Sequence, residues 1–247
     1  MADQTQGQTH TYRYKFRFAG GIEKDFEVVL NAATLELVTS KDLPKPEWAK
    51  LTYHQCANCP LGDEVEYCPV AVNLSGLADT FKDTISHQSV AVQVRTERRD
   101  FEAMTTLQEG LSSIIGIYMV TSNCPIMDKL RPNVRFHLPF ASEAETMYRA
   151  ISMYLMAQYF RLRNGAEPDW ELKKLGDIYR AVSAVNDGMS QRLLAASNKD
   201  ANVNAVVHLA TFGQMLDSFL EPCLKELENL FSRDGCARVG ASSGRPQ

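Results

Sequence analysis

The stretch HQCANCPLGDEVEYCPVA, His54 to Ala71, places Cys56, Cys59 and Cys68 within thirteen residues, and Cys124 follows far downstream in TSNCPIM. Cys56 and Cys59 are separated by two residues, a spacing that lets two thiolates of one tight turn face the same ion. Eight residues separate Cys68 from Cys59. Four thiolates suit a tetrahedral zinc site or a cysteine-ligated iron–sulfur cluster. Three of the four open the same tripeptide: Cys59-Pro60-Leu61, Cys68-Pro69-Val70 and Cys124-Pro125-Ile126. Proline fixes the chain direction leaving each sulfur, and the aliphatic residue after it can wall the centre from water, which tunes a cluster's potential. Zinc loops of the Cys-x-x-Cys kind commonly carry glycine after the second cysteine, where this chain has Pro60. That difference favours iron–sulfur over zinc.

Two other readings of these sulfurs stand beside the metal centre. Free cysteine is among the most buried residue types and packs as a small hydrophobe. Cys56 and Cys59 could instead form a redox pair in a thiol oxidoreductase, although no thioredoxin-like βαβ pattern surrounds them. His54 and His137 are the two histidines placed to replace a sulfur. Cys223 falls inside an expected helix and Cys236 in the tail, so neither is expected to be a ligand.

Elsewhere the chain offers little chemistry. Arg95, Arg98 and Arg99, with Lys129, Arg131 and Arg135, could form an anion-binding flank, but acids lie among them and a solvated charged face is the simpler expectation. Glu143 and Glu145 suit a helix N-terminus, and no phosphate-cradling glycine loop, Gly-x-Ser-x-Gly elbow or His-Glu-x-x-His motif occurs.

The 247 residues carry a net charge of −4, with acids and bases interspersed. A dominant nucleic-acid surface is not expected. No signal-peptide pattern opens the chain, and IIGIYMV is far shorter than the roughly 20 residues of a bilayer span. The expectation is a cytoplasmic protein without a membrane segment. Thiols stay reduced in that compartment, so clustered cysteines read as metal ligands or redox groups rather than disulfides.

What positions the cysteines is an α+β architecture, a small antiparallel N-terminal sheet packed on a C-terminal helical bundle, formed as one unit over residues 11–231 with a cysteine loop at 54–71. In TYRYKFRF the aromatics Tyr12, Tyr14, Phe16 and Phe18 share one face and Arg13, Lys15 and Arg17 the other, the period of a strand. KDFEVVLNAATLELV gives the return strand and a short third one. VNLSGLADTFK reads as a helix capped by Asn73, and SVAVQVRTE as a strand. From Asp100 the spacing of Phe101, Met104, Leu107, Leu111, Ile114, Ile115 and Tyr118 predicts one helix to Val120. Ser142 and Glu145 form a capping box for a helix ending at Asn164-Gly165, Asp169 caps the next, and the last begins near Asp200 with Pro222 expected to kink it. Residues 232–247 read as a disordered tail.

The segments PEWAKL, QCANCPL, CPVA, SNCPI, FHLPFAS and MYLMAQYF resemble an uncharacterised bacterial domain family of unknown function. The resemblance spans most of residues 11–231 and implies no activity. Function is therefore read from the residues: a metal-centre protein holding an iron–sulfur cluster or zinc in a structural, sensing or electron-transfer role. The alternatives are a thiol oxidoreductase and a helical interaction scaffold for a protein partner.

Overall fold

The computed structural model describes residues 8–38 and 43–231, with the side chains of 212–219 and 229–231 outside the description. The proposed tail, 232–247, and Cys236 also lie outside the described residues. Strands β1 (Thr9–Phe18) and β2 (Glu23–Asn31) form a hairpin whose turn runs through Gly20 and Gly21, both at positive φ. Strands β3 (Ser89–Arg95) and β4 (Asp100–Thr106) complete an antiparallel sheet of order β2-β1-β3-β4. The alternation in β1 decides which face is buried. Tyr12, Tyr14 and Phe16 are almost fully enclosed, while Arg13, Lys15 and Arg17 pair outward with Glu27, Glu23 and Asp25.

Helix α1 (Pro69–Phe81) packs against the inner face of the sheet through Phe81, whose ring lies 5.4 Å from that of Phe16 and 5.6 Å from that of Phe26. Helix α2 (Leu107–Val120) crosses the same face, and a 3-10 segment (Met127–Phe136) follows. Helices α3 (Glu143–Arg163), α4 (Leu175–Ala196) and α5 (Ala201–Phe231) form the bundle, with α5 packed on both α2 and α4. The expected α+β class is the one observed.

Helix α2 can approach the sheet because Gly110 has no side chain. A Cβ there would stand 2.8 Å from Val92 Cγ2 and 3.1 Å from Phe16 Cε1. Gly110→Ala is expected to overpack this contact and cost ~1–3 kcal/mol, read as a lower urea midpoint at unchanged slope.

Several sequence expectations change. Asp100–Thr106 is a strand, not the first turns of a helix: the open edge of β3 takes it up with Val94 opposite Phe101 and Val92 opposite Ala103. The backbone hydrogen bonds of that edge outweigh a helical spacing that rested on Phe101 and Met104, and Met104 is 74% exposed. Helix α2 starts only at Leu107, with the Glu109 carboxylate accepting the Thr106 N–H. Helix α1 begins at Pro69 behind Cys68, since proline suits the first helical position; Asn73 lies inside and donates to the Tyr118 carbonyl. The short third strand is only a bridge between Leu37 and Leu30. Asp169 does accept the N–H groups of Lys173 and Lys174, but α4 opens later, at Leu175, after Leu172 at positive φ. The Ser142–Glu145 box and the Gly165 stop are present as expected, and α5 continues through Pro222. On α3 Tyr154 is core, whereas Tyr148, Met156, Tyr159 and Phe160 are exposed rather than buried in the bundle.

Candidate metal centre

The cysteine loop is closed locally and then docked on α4. The Cys59 N–H donates to the Cys56 carbonyl at 3.0 Å, which makes Cys56-Ala57-Asn58-Cys59 a tight turn. Asn58 Nδ2 donates to the Ala181 carbonyl at 2.9 Å, and the Cys56 thiol faces the Val185 carbonyl at 4.0 Å. One turn further, Gly188 makes room for the sulfur: a Cβ there would lie 2.9 Å from Cys56 Sγ and 3.4 Å from the His54 carbonyl oxygen. Helix interiors disfavour glycine by about 1 kcal/mol relative to alanine, so its presence in α4 reflects this close approach.

Cys68 arrives by a different route. Leu51 donates to the Glu66 carbonyl and Cys68 to the Ala49 carbonyl, each at 2.8 Å, a short ladder that ends with Cys68 at the N-cap of α1. Cys124 stands beyond the C-terminus of α2, where Asn123 at φ 65° reverses the chain. Both sulfur-bearing residues are 7% exposed. Val70 and Ile126, which follow Cys68-Pro69 and Cys124-Pro125, are buried, and Leu61 is partly so.

The cysteine loop and the exit of α2 lie near enough for Cys59, Cys68 and Cys124 to act electrostatically on Cys56. Burial pushes the Cys56 thiol up to about 11, and the neighbouring Cys68, Cys59 and Cys124 push it the same way; the Arg192 guanidinium acts against them. Burial also raises Cys124, opposed by the backbone N–H groups of Met127 and Ile126 that point at its sulfur. Such N–H groups stabilise a thiolate or a metal-bound sulfur. All four are free thiols. No group of three His, Cys, Asp or Glu side chains among the described residues is arranged to hold a metal ion as it stands. A cleft of about 520 Å³ opens beside Cys56, lined by His54, Gln55, Asp187, Gly188 and Gln191 among others.

The two histidines part company. His54, at φ 45°, lies at the rim of that cleft, next to the loop. His137 is committed elsewhere: its Nε2 is 2.8 Å from the Tyr14 hydroxyl and 3.1 Å from Ser113 Oγ. A ligand role for it would break both contacts. Of the arginine groups, exposed Arg95 pairs with Asp100 as the solvated-face expectation had it, whereas Arg131 is largely buried and pairs with Asp128 and Glu36. Cys223 lies within α5, apart from the loop.

Sequence reasoning passed over Gly188 and Arg192. Both carried a signal. Gly188 is a glycine in the interior of a helical pattern, and Arg192 is a charge on the buried stripe that also carries Val185, Met189 and Leu193.

A family model described as Domain of unknown function (DUF6901) matches residues 11–232. No curated protein and no solved structure matches the chain. Among the described residues no helix is long and apolar enough to cross a membrane.

Proposed function

The chain belongs to the DUF6901 family, whose description assigns no activity, and from that premise we propose that Cys56, Cys59, Cys68 and Cys124 are the ligands of one metal–thiolate centre. The observation that supports this reading is that four free thiols, three from one hydrogen-bonded loop and one from the exit of α2, lie near enough for three of them to act on Cys56. Inert core cysteines have no need of a docked turn, a glycine cut-out in α4 and N–H groups aimed at sulfur. Loading draws the sulfurs inward and expels their protons, so metal uptake and tightening of the 54–68 loop are one event.

Of the two candidates, the iron–sulfur cluster is favoured over zinc. The buried aliphatic residues that follow Cys68-Pro69 and Cys124-Pro125, and the N–H groups facing Cys124, suit solvent exclusion and hydrogen bonding to sulfur, which tune a cluster's potential. Tetrahedral zinc, with Zn–S bonds of about 2.3 Å, requires its four sulfurs drawn tightly round one ion. In a four-iron cluster each cysteine takes its own iron and the ligands stay further apart. The role is structural, sensing or electron transfer, with the cleft beside Cys56 as the access route. Oxidoreductase chemistry at Cys56 fits less well, because a thiol raised to about 11 is protonated at neutral pH and the thiolate is the nucleophile. The exposed apolar row of α3, Tyr148, Met156, Tyr159 and Phe160, supports a protein partner alongside the metal centre.

Protein purified without oxygen is expected to be brown, to bleach in air, and to contain iron and sulfide in comparable amounts. Colourless anaerobic protein with one zinc per chain, unable to accept a cluster, would replace the cluster with zinc and keep the four ligands. Protein that takes neither would remove the centre altogether.

A further inference from the structure

Helix α3 leaves one long face bare. Tyr148, Met156, Tyr159, Phe160 and Leu162 are each between 45% and 56% exposed, while the opposite face, with Met147, Ile151, Tyr154 and Gln158, is buried. The spacing of the bare face is regular. Residues 148, 152, 155, 159 and 162 step by four, three, four and three, the seam spacing of helices that pair with one another. Ser152 and Leu155, in the middle of the seam, are half-buried.

Two charges close this seam, one at each end. Glu145 stands three residues before Tyr148 and Arg163 four residues after Tyr159, so both lie in line with the apolar residues. Acids in a first turn and bases in a last turn suit the helix dipole on any face, and here they also fall on the seam. Arg163 has no carboxylate partner among the described residues, and the Ser142 cap uses Oε2 of Glu145 alone. A parallel pair of α3 helices would set Glu145 against Glu145 and Arg163 against Arg163. An antiparallel pair, about a two-fold axis between residues 153 and 154, sets Tyr148 level with Tyr159 and Ser152 level with Leu155, and brings each Glu145 beside an Arg163. The face is complementary to itself turned over.

Its size agrees. Large aromatic side chains bury ~150–250 Å², so five half-exposed side chains present on the order of 500 Å² per copy. The largest apolar patch of a monomer is about 300–600 Å², and each partner in a standard interface contributes about 800 Å². The polar rim of α3 supplies the remainder, which fits a reversible dimer in the micromolar range.

We infer that this face binds a second copy of the chain, with the two α3 helices antiparallel. This rests on the protein-partner reading of α3 above and names that partner; the cysteine loop takes no part in it.

Sedimentation equilibrium of the full chain across the micromolar range should show a reversible dimer. Tyr159→Glu is expected to weaken it ~100-fold or more with an unchanged far-UV circular dichroism spectrum, since two-fold symmetry removes the anchoring ring twice. Should Tyr159→Glu fail to fold, Met156→Glu reports the same loss. Arg163→Gln is expected to weaken the dimer ~2–10-fold and to flatten its dependence on salt. Oxidation of a mixture of Tyr148→Cys and Tyr159→Cys chains should link the two variants to each other, above the level of either alone and of the parent. A dimer that persists in both glutamate variants puts the interface elsewhere and overturns the proposal, and linkage of either cysteine variant to itself in preference to the other overturns the antiparallel arrangement. A monomeric parent overturns the second copy. If Tyr159→Glu then leaves the melting temperature unchanged, α3 stays open to a different protein; if it lowers it, another segment of the same chain covers the face and the partner reading falls as well.

Discussion

Serine at any one of Cys56, Cys59, Cys68 or Cys124 is expected to empty the centre and lower the melting temperature of the metal-loaded protein by about 8–16 °C. A ligand present at a thousand times its dissociation constant stabilises the folded state by ~4 kcal/mol. For a chain of this size each kcal/mol moves the midpoint by about 2–4 °C. The variants should therefore melt near the metal-free parent, and metal per chain should fall with them. Because Cys68 and Cys124 are buried, each melting temperature is compared with that of the same variant without metal. Cys223→Ser is the control: it keeps both metal and stability, since Cys223 lies on α5 away from the loop. A Cys124→Ser protein that retains full metal would remove the distant ligand, with His54 at the cleft next in line. Any one of the loop cysteines proving dispensable would break the four-ligand centre in the same way.

Acid is expected to unfold the protein through His137. Burial holds this imidazole down to about 3, and the neighbouring Arg149 adds to the effect. In the unfolded chain the same group titrates near 6.5. Below that value the unfolded state binds a proton that the folded state refuses, so stability falls as pH falls from about 6.5 towards 3 and is intact above it. The full difference would amount to ~5 kcal/mol; His137 as a residue is only partly buried, which reduces the expected loss to ~3 kcal/mol. His137→Gln removes the titrating group while a side-chain amide remains to meet Tyr14 and Ser113. The parent should be the more stable at pH 7, and the gap should close and reverse on acidification. Carboxylates titrate alike in both proteins and cancel in the comparison. Urea unfolding at a series of pH values measures it, and a gap that stays constant from pH 7 to pH 4 would show that His137 is not the acid trigger.

The local pattern of the chain by itself determined the first strand, the capped helix behind Ser142, the stop at Gly165 and the identity of the four candidate sulfurs. Each of these is written in neighbours: an alternation of aromatic and basic residues, a Ser-x-x-Glu, a glycine at positive φ, a repeated Cys-Pro. Asp100–Thr106 shows where such patterns fail. Phe101 and Met104 carry a helical spacing, yet the open edge of β3 supplies backbone partners that no local period encodes, and the segment becomes β4. Helix α1 was misplaced for a smaller reason of the same kind, an asparagine that looked like a cap but donates across to Tyr118 instead.

The site divides along the same line. The sequence named Cys56, Cys59, Cys68 and Cys124, but only the tertiary structure decided where they stand, in a loop docked on α4, at the N-cap of α1 and beyond the exit of α2, because α1 packs on both α2 and α4. It also decided what stands around them. His137 was drawn away to Tyr14 and Ser113, while Gly188, silent as a member of a helical stripe, was turned toward the cysteine loop and Arg192 toward the carbonyls of residues 48, 50 and 51. A residue type and its spacing fix which chemistry a side chain can do. Its burial and the partners it meets belong to parts of the chain more than a hundred residues away, and those are set when the helices close on the sheet.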